Sequence, residues 1–375
     1  MKKKLLAPAL ASLIAVPAFA QSEVSIFGTV DMGYRWSGNN IDSTVSSRSR
    51  IDSGTSVPSR IGFRGSESLG NGLTASFILE AAINTAGGEL LGGGGFSRQA
   101  FVSLGGRFGA LALGRQYTPG YLLTSEIDPF ASVTVGQYNN VYLTEYRWNN
   151  QIGYVSPNWG GFSVAAGYTL NGYGQESPGN RGLGAAGDVH ALSVVPQYRN
   201  GPLLVGLHLQ ELRAKSTGKE ADGSSVPVSY DGKKVRVFDF GGTYDLGPVK
   251  LAASYGVRRA DVADFSADTG SVAGKDTRQW LVGATVPVGA AGKLLASYVR
   301  RSTEVVAGGA DARAGQWALG YEHALSKRTS LYGTYASINN NRSARDHALS
   351  SSVGAGYNTG DGYQNSFATG IRHSF

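Results

Sequence analysis

Cysteine is absent from this 375-residue chain. That excludes a disulfide scaffold, a thiolate metal site and a cysteine nucleophile. Long apolar runs are missing too. Past residue 20, no stretch approaches the ~18 apolar residues that a membrane-crossing helix requires. Histidine is sparse and scattered, at His190, His208, His323, His347 and His373. No H-E-x-x-H, G-x-S-x-G or metal-spaced cluster surrounds them, which argues against a hydrolase or metalloenzyme. The glycine run at 92–95 falls in a loop rather than between a strand and a helix, so it is no phosphate cradle. Charge of one sign is not in great excess. The formal charge is +7, and without the three N-terminal lysines 31 basic residues face 27 acidic ones. That excess is too mild for a nucleic-acid partner. Nothing points to a bound cofactor or a metal.

What is present begins with Lys2, Lys3 and Lys4, an apolar stretch to about Val16, and Ala18-Phe19-Ala20. This predicts a secretory signal peptide over residues 1–20, removed before Gln21. The apolar stretch is too short to span about 30 Å of hydrocarbon as an anchor. Residues 21–375 are expected to form one domain.

Alternation dominates the rest. Val24, Ile26, Gly28, Val30, Met32, Tyr34 and Trp36 share one parity, and Ser25, Thr29, Asp31, Gly33, Arg35 and Ser37 the other, with Phe27 as an exception. Leu73 to Ile83, Phe162 to Leu170 and Val249 to Val257 repeat the pattern. Such strands are long for a soluble sandwich and suit a tilted membrane-spanning strand. Seven tight Gly/Asn/Asp/Pro turns alternate with eight long polar connections, which implies about sixteen strands. Short turns on one rim and long loops on the other describe an all-β transmembrane antiparallel barrel. Its closure satisfies every backbone group inside lipid. Tyr34, Trp36, Trp148, Trp280, Trp317 and Tyr321 are expected in its interfacial girdles. Sixteen strands leave a water-filled lumen, and so a channel.

The third long connection, residues 117–145, carries Pro119, Tyr121, Leu122, Leu123, Ile127, Pro129, Phe130, Val133 and Val135. That is too apolar for a solvated loop. Folded into the lumen it narrows the pore, with Glu126 and Asp128 as the acids available to face it. Basic residues are expected on the opposite wall. Arg60, Arg64 and Arg147 point inward by parity, Arg147 with Trp148, Ile152 and Tyr154 on the outer face. Arg98 and Arg115 share parity with lipid-facing residues. A charge there costs about 2–4 kcal/mol near the midplane, so both are placed inward or at the rim. An arginine wall facing two carboxylates sets up a transverse field that favours anions.

At the C-terminus Phe367, Ile371 and Phe375 share one parity of a closing strand, with Ala368, Gly370, Arg372 and Ser374 on the other. A final phenylalanine on an apolar outer face makes sense in a membrane, where it also serves as the assembly signal.

Several segments carry a family resemblance. S-R-I-G-F-R-G-S-E-S-L-G-N-G-L (59–73), S-R-Q-A-F-V-S-L (97–104), F-G-A-L-A-L-G-R-Q-Y-T-P (108–119) and the terminal G-I-R-H-S-F (370–375) resemble general porins of beta-proteobacteria. V-S-I-F-G-T-V-D-M-G (24–33) is similar to their first strand. The resemblance implies a homotrimer of sixteen-stranded barrels, one pore per subunit, and the third loop folded inward. It also implies an arginine cluster at the constriction, here Arg60, Arg98 and Arg147, with Arg115 near the loop's root. Some relatives have a P-E-F-G-G-like stretch in that loop. This chain has E-I-D-P-F-A-S (126–132), so the lining of the constriction departs from theirs. The implied partners are outer-membrane lipid and lipopolysaccharide, the barrel-assembly machinery, and small hydrophilic solutes, chiefly anions.

Rival readings are a substrate-specific channel for an anion or organic acid, and a barrel with an adhesive loop role. A sugar-specific pore would carry an aromatic slide in the lumen, whereas most aromatics here have outward parity.

Overall fold

The computed structural model describes residues 23–92, 95–131, 134–172, 188–215, 232–261, 274–354 and 362–375. The expected signal peptide lies outside them. The strands are β1 Glu23–Asn40, β2 Ser47–Ser53, β3 Arg60–Gly70, β4 Leu73–Asn84, β5 Glu89–Leu91, β6 Gln99–Gly106, β7 Gly109–Tyr117, β8 Arg147–Val155, β9 Phe162–Thr169, β10 Asp188–Asn200, β11 Leu203–Lys215, β12 Lys234–Asp245, β13 Lys250–Ala260, β14 Gly274–Val288, β15 Gly292–Val305, β16 Ala312–Ala324, β17 Thr329–Asn340 and β18 Tyr363–Ser374. All pair antiparallel in one sheet, and β1 meets β18 to close it, from Thr29 opposite Ser374 to Asn40 opposite Tyr363.

Eighteen segments make a sixteen-stranded wall. β2 and β3 pair with successive halves of β1, and β5 and β6 with successive parts of β4. Each pair is therefore one wall strand with an interruption. The first break, at residues 54–59, is held by Asp31, whose carboxylate accepts the Ser56 and Val57 amides at 3.2 Å each.

The predicted parity holds along the regular strands. Val24 and Ile26 are more than 60 % exposed on the outer face, while Thr29, Asp31 and Arg35 are buried within. Lipid replaces the second layer that a soluble sheet would need. Trp317 and Tyr321 are exposed on the outside, and Trp280–Tyr298 and Trp317–Tyr335 pair at about 5 Å between centroids.

Two aromatics turn inward. The Phe27 ring lies over Gly62, where an added Cβ would come within 2.6 Å of it. Trp148, expected in the outer girdle, is fully buried and packs with Val189, Ala191, Leu212, Val235 and Ala260 on the inner wall. The cause is a bulge. Gly114 pairs with Gln151 but Gln116 with Trp148, so β8 carries an extra residue. Asn150, in the left-handed region at φ +49°, takes it up. One inserted residue changes which face the next side chain meets.

Candidate pore constriction

The third loop leaves β7 at Tyr117 and enters α1, Pro119–Ile127. Thr118 caps the helix, its hydroxyl accepting the Tyr121 amide at 3.1 Å, and Pro119 begins it with φ already set. Asp128 then reverses the chain. Its carboxylate accepts the amides of Phe130 and Tyr138, each at 3.1 Å. The root of the loop is closed by the Thr118 amide donating to the Tyr146 carbonyl at 3.0 Å.

The loop's apolar side lies inside the barrel. Leu123, Ile127, Phe130, Val135, Val141 and Tyr142 are buried against Val195, Leu281, Val299, Ala318 and Ala336 of the inner wall. Each large side chain buried this way contributes roughly 1.5–3 kcal/mol. Gly320 leaves room for the Phe130 ring, which an added Cβ would meet at 2.8 Å. Polar side chains of the wall pin the loop backbone. Gln279 accepts from the Leu143 amide at 2.8 Å and donates to its carbonyl at 3.1 Å, and Gln316 donates to the carbonyls of Gly136 and Gln137. The Tyr142 hydroxyl donates to Asp239 at 2.8 Å, whose other oxygen lies 2.9 Å from His208 Nδ1. The loop is thus pressed against the β10–β18 side, and the lumen runs between it and the β1–β8 side.

That free wall carries a row of charge over adjacent strands. Glu80 on β4 sits between Arg60 Nε, at 3.7 Å, and Arg98 Nε, in direct contact. Arg98 also donates to the Tyr117 hydroxyl at 2.6 Å, and Arg147 donates to the same oxygen at 2.7 Å. The Arg147 guanidinium lies 4.2 Å from the Tyr117 ring centroid. Two guanidiniums therefore share the Glu80 carboxylate, and Arg147 joins them through the Tyr117 hydroxyl. Tyr117 stacks on Tyr121 of α1 at 5.1 Å, which ties the row to the loop. Burial, then the neighbouring Tyr117, pushes the Tyr121 hydroxyl up to about 12.

The structure thus brings together Arg60, Arg98 and Arg147 of the expected residues. Arg98 escapes the outward parity because it precedes β6, and its side chain turns in to Glu80. Arg64 points inward but further toward the short-turn rim, over the Phe27 ring at 5.3 Å and hydrogen-bonded to Ser25. Arg115 does not join the row. It stands opposite Ala100, on the face of Leu111 and Leu113, beside the bulge. Its guanidinium donates to the Ser97 carbonyl at 2.6 Å and to the Asn149 side chain. Glu126 faces Arg199 of β10 at 2.6 Å rather than the arginine row. Asp128 is buried and serves the loop's chain reversal, so it is not a lining acid. Phe367, Ile371 and Phe375 are exposed on the outer face of the closing strand, as their parity predicts.

Glu80, Tyr117 and Arg199 were not singled out in the sequence. Glu80 has inward parity on a regular strand, one strand from Arg60, which is the signal that would have found it. Nothing comparable marked Tyr117, which sits where the strand gives way to the loop.

A family model described as Gram-negative porin matches residues 7–343. Outer membrane porin protein 32 of Delftia acidovorans is 30 % identical over 385 residues, covering 100 % of both chains. An outer membrane porin protein of Bordetella pertussis is 31 % identical, over 95 % of this chain and 99 % of its own length. Among solved structures, the anion-selective porin from Comamonas acidovorans superposes with a TM-score of 0.70 at 28 % identity, over 95 % of this chain and 100 % of that one. The trimer form of OmpT from Vibrio cholerae shares the fold, with a TM-score of 0.63 at 19 % identity over 94 % of this chain and 99 % of its own. The family match on a closed, lipid-facing barrel settles the class: the chain belongs to the Gram-negative porins, integral β-barrel channels of the outer membrane.

Proposed function

We propose that the chain works as a homotrimer, exported by a signal peptide over residues 1–20, with residues 21–375 forming one pore domain per subunit. Small hydrophilic solutes cross it by passive diffusion, with anions preferred and no catalytic step. The observation that carries this reading is the row in which Arg60 and Arg98 flank the carboxylate of Glu80 and Arg147 follows through the Tyr117 hydroxyl, on the wall that the third loop leaves free. A net positive lining lowers the barrier for anions and raises it for cations. Glu126 adds little opposition, because Arg199 neutralises it. The similarity to an anion-selective porin and to a trimeric barrel supports the same reading. Arg64 extends the positive lining toward the short-turn rim. The outward row of Phe367, Ile371 and Phe375 is the part of the closing strand offered to the barrel-assembly machinery.

The test is the zero-current potential of the reconstituted protein in a planar bilayer under a salt gradient. Conductance steps in threes with an anion-sided potential are expected. A cation-sided potential refutes the role of the arginine row. Absence of conductance from folded protein would favour a plugged, substrate-specific or adhesive barrel.

A further inference from the structure

The break between β2 and β3 ends immediately before Arg60, and sheet pairing does not fix its shape. Met32 stands opposite Ser53 and Thr29 opposite Arg60. That is three steps along β1 against seven along its partner, so four surplus residues fold without a ladder. Irregularities of this kind re-aim the side chains next to them. The conformation of the break therefore decides where Arg60 enters the lumen.

One residue holds that conformation. Asp31 is fully buried, and besides the Ser56 and Val57 amides its carboxylate accepts the Tyr332 hydroxyl at 2.8 Å. The Thr55 hydroxyl, in contact with that of Tyr332, lies 3.4 Å from the same oxygen. The Asp31 backbone is engaged as well. Its carbonyl accepts the Gly54 amide at 2.9 Å, and its amide donates to Ser59 Oγ at 3.0 Å. Among the described residues no cation pairs with Asp31. Arg372, opposite it on β18, gives its guanidinium to Glu322. The buried carboxylate thus depends on neutral donors, and the loss of any one is felt. Tyr332 reaches it from two strands away. It stands opposite Gly370 of β18, which stands opposite Gly33 of β1. These two glycines clear its path: a Cβ at Gly370 would lie 2.5 Å from the Tyr332 hydroxyl, and one at Gly33 2.9 Å.

From this we infer that Asp31 and Tyr332 are positioning residues for ion preference. Both are buried and neither meets the ion. Together they hold residues 54–59 in the conformation that sets Arg60 beside Glu80. The Arg60 guanidinium also donates to the Pro58 carbonyl at 3.5 Å, so a shift of the break carries the cation with it. The inference rests on the reading that the arginine row sets the preference.

The test is a double-mutant cycle on the full-length channel in planar bilayers. Tyr332→Phe, Arg60→Ala and the double variant are compared with wild type by zero-current potential at about 0.1 M mean salt. If the cation withdraws from about 5 Å to about 8 Å from the ion path, Tyr332→Phe lowers the anion-to-cation permeability ratio about twofold. In the Arg60→Ala background the same substitution should change nothing. Thr55→Val removes the neighbouring hydroxyl and should act alike, which keeps the test decisive if Tyr332→Phe does not fold. Wild-type ratios from Tyr332→Phe and Thr55→Val channels of normal conductance overturn the inference. An equal loss with and without Arg60 also overturns it, because the pore's shape rather than the placement of Arg60 would then have changed. An unchanged ratio in Arg60→Ala itself refutes the reading of the arginine row, and the inference falls with it.

Discussion

Arg60 is the arginine of the row whose loss separates charge from folding. Its side chain is 27 % exposed and 3.7 Å from Glu80, while Arg98 contacts the other oxygen of the same carboxylate. Arg60→Ala therefore leaves no buried carboxylate without a partner. An ion passing roughly 5 Å from a unit charge in water feels about 0.8 kcal/mol. The anion gains this and the cation loses it, so their barriers differ by about 1.7 kcal/mol before screening. With a Debye length of about 10 Å at 0.1 M the difference falls to about 1 kcal/mol, or about fivefold in the permeability ratio. With a Debye length of about 3 Å at 1 M it falls below about twofold. Zero-current potentials recorded at both mean salt concentrations give the two ratios directly. Arg60→Ala should lose several-fold anion preference at low salt and little at high salt. An unchanged low-salt ratio, from channels with normal conductance steps, would remove Arg60 from the ion path. An equal loss at both salts would show that shape rather than charge had changed. Arg98→Ala is not an equivalent experiment, because breaking its buried pair with Glu80 costs about 3–5 kcal/mol of stability.

Gly28→Val should stop the barrel from closing. A Cβ at Gly28 would lie 2.5 Å from both the Phe375 ring and the Arg60 carbonyl, so the heat-modifiable gel shift of folded barrels should be lost; a normal shift would refute the tight seam. Phe130→Ala should cost about 3–5 kcal/mol of loop packing, seen as noisy single-channel current, since Phe130 is 1 % exposed between the loop and the wall. Asp239→Asn should weaken the hold on Tyr142 and His208 by about 1–3 kcal/mol and raise protease cleavage within residues 117–145. No rise in cleavage would mean that apolar packing alone holds the loop. Anion preference should be flat as pH rises from neutral to about 9, because arginines keep their protons and Tyr121 is pushed up to about 12; a fall measured over that range would assign the preference to other groups.

How far parity can be read depends on whether a strand is regular. Along β1 and β18 each side chain has one of two faces, and lipid makes the choice costly to reverse. Val24, Thr29, Arg60 and Phe375 were therefore legible from their positions alone. The rule fails where the backbone inserts or skips a residue. Asn149 and Asn150 together face one residue of β7, so Trp148 moves to the inside and Arg115 stays on the outer side. Nothing local in Y-R-W-N-N-Q announces that shift, because asparagine serves turns, bulges and strand ends alike. Arg98 fails the rule for a related reason, since it sits before β6 and is not yet bound by its pleat.

The loop posed a different problem. Its apolar content marked it as buried, but a loop has no fixed period to assign each side chain a direction. Glu126 and Asp128 differ by two positions and looked interchangeable as lining acids. Their fates diverged because Asp128 follows the last turn of α1, where two orphan amides need an acceptor, and a short side chain reaches both. Glu126, still on the helix, projects from it and meets the first cation in range, Arg199. The lining of such a pore is therefore decided less by which charges the loop carries than by which of them its own backbone consumes. In this chain Asp128 is spent on the loop's own fold and Arg199 neutralises Glu126, so on the proposed reading the arginine row dominates the field that an ion meets.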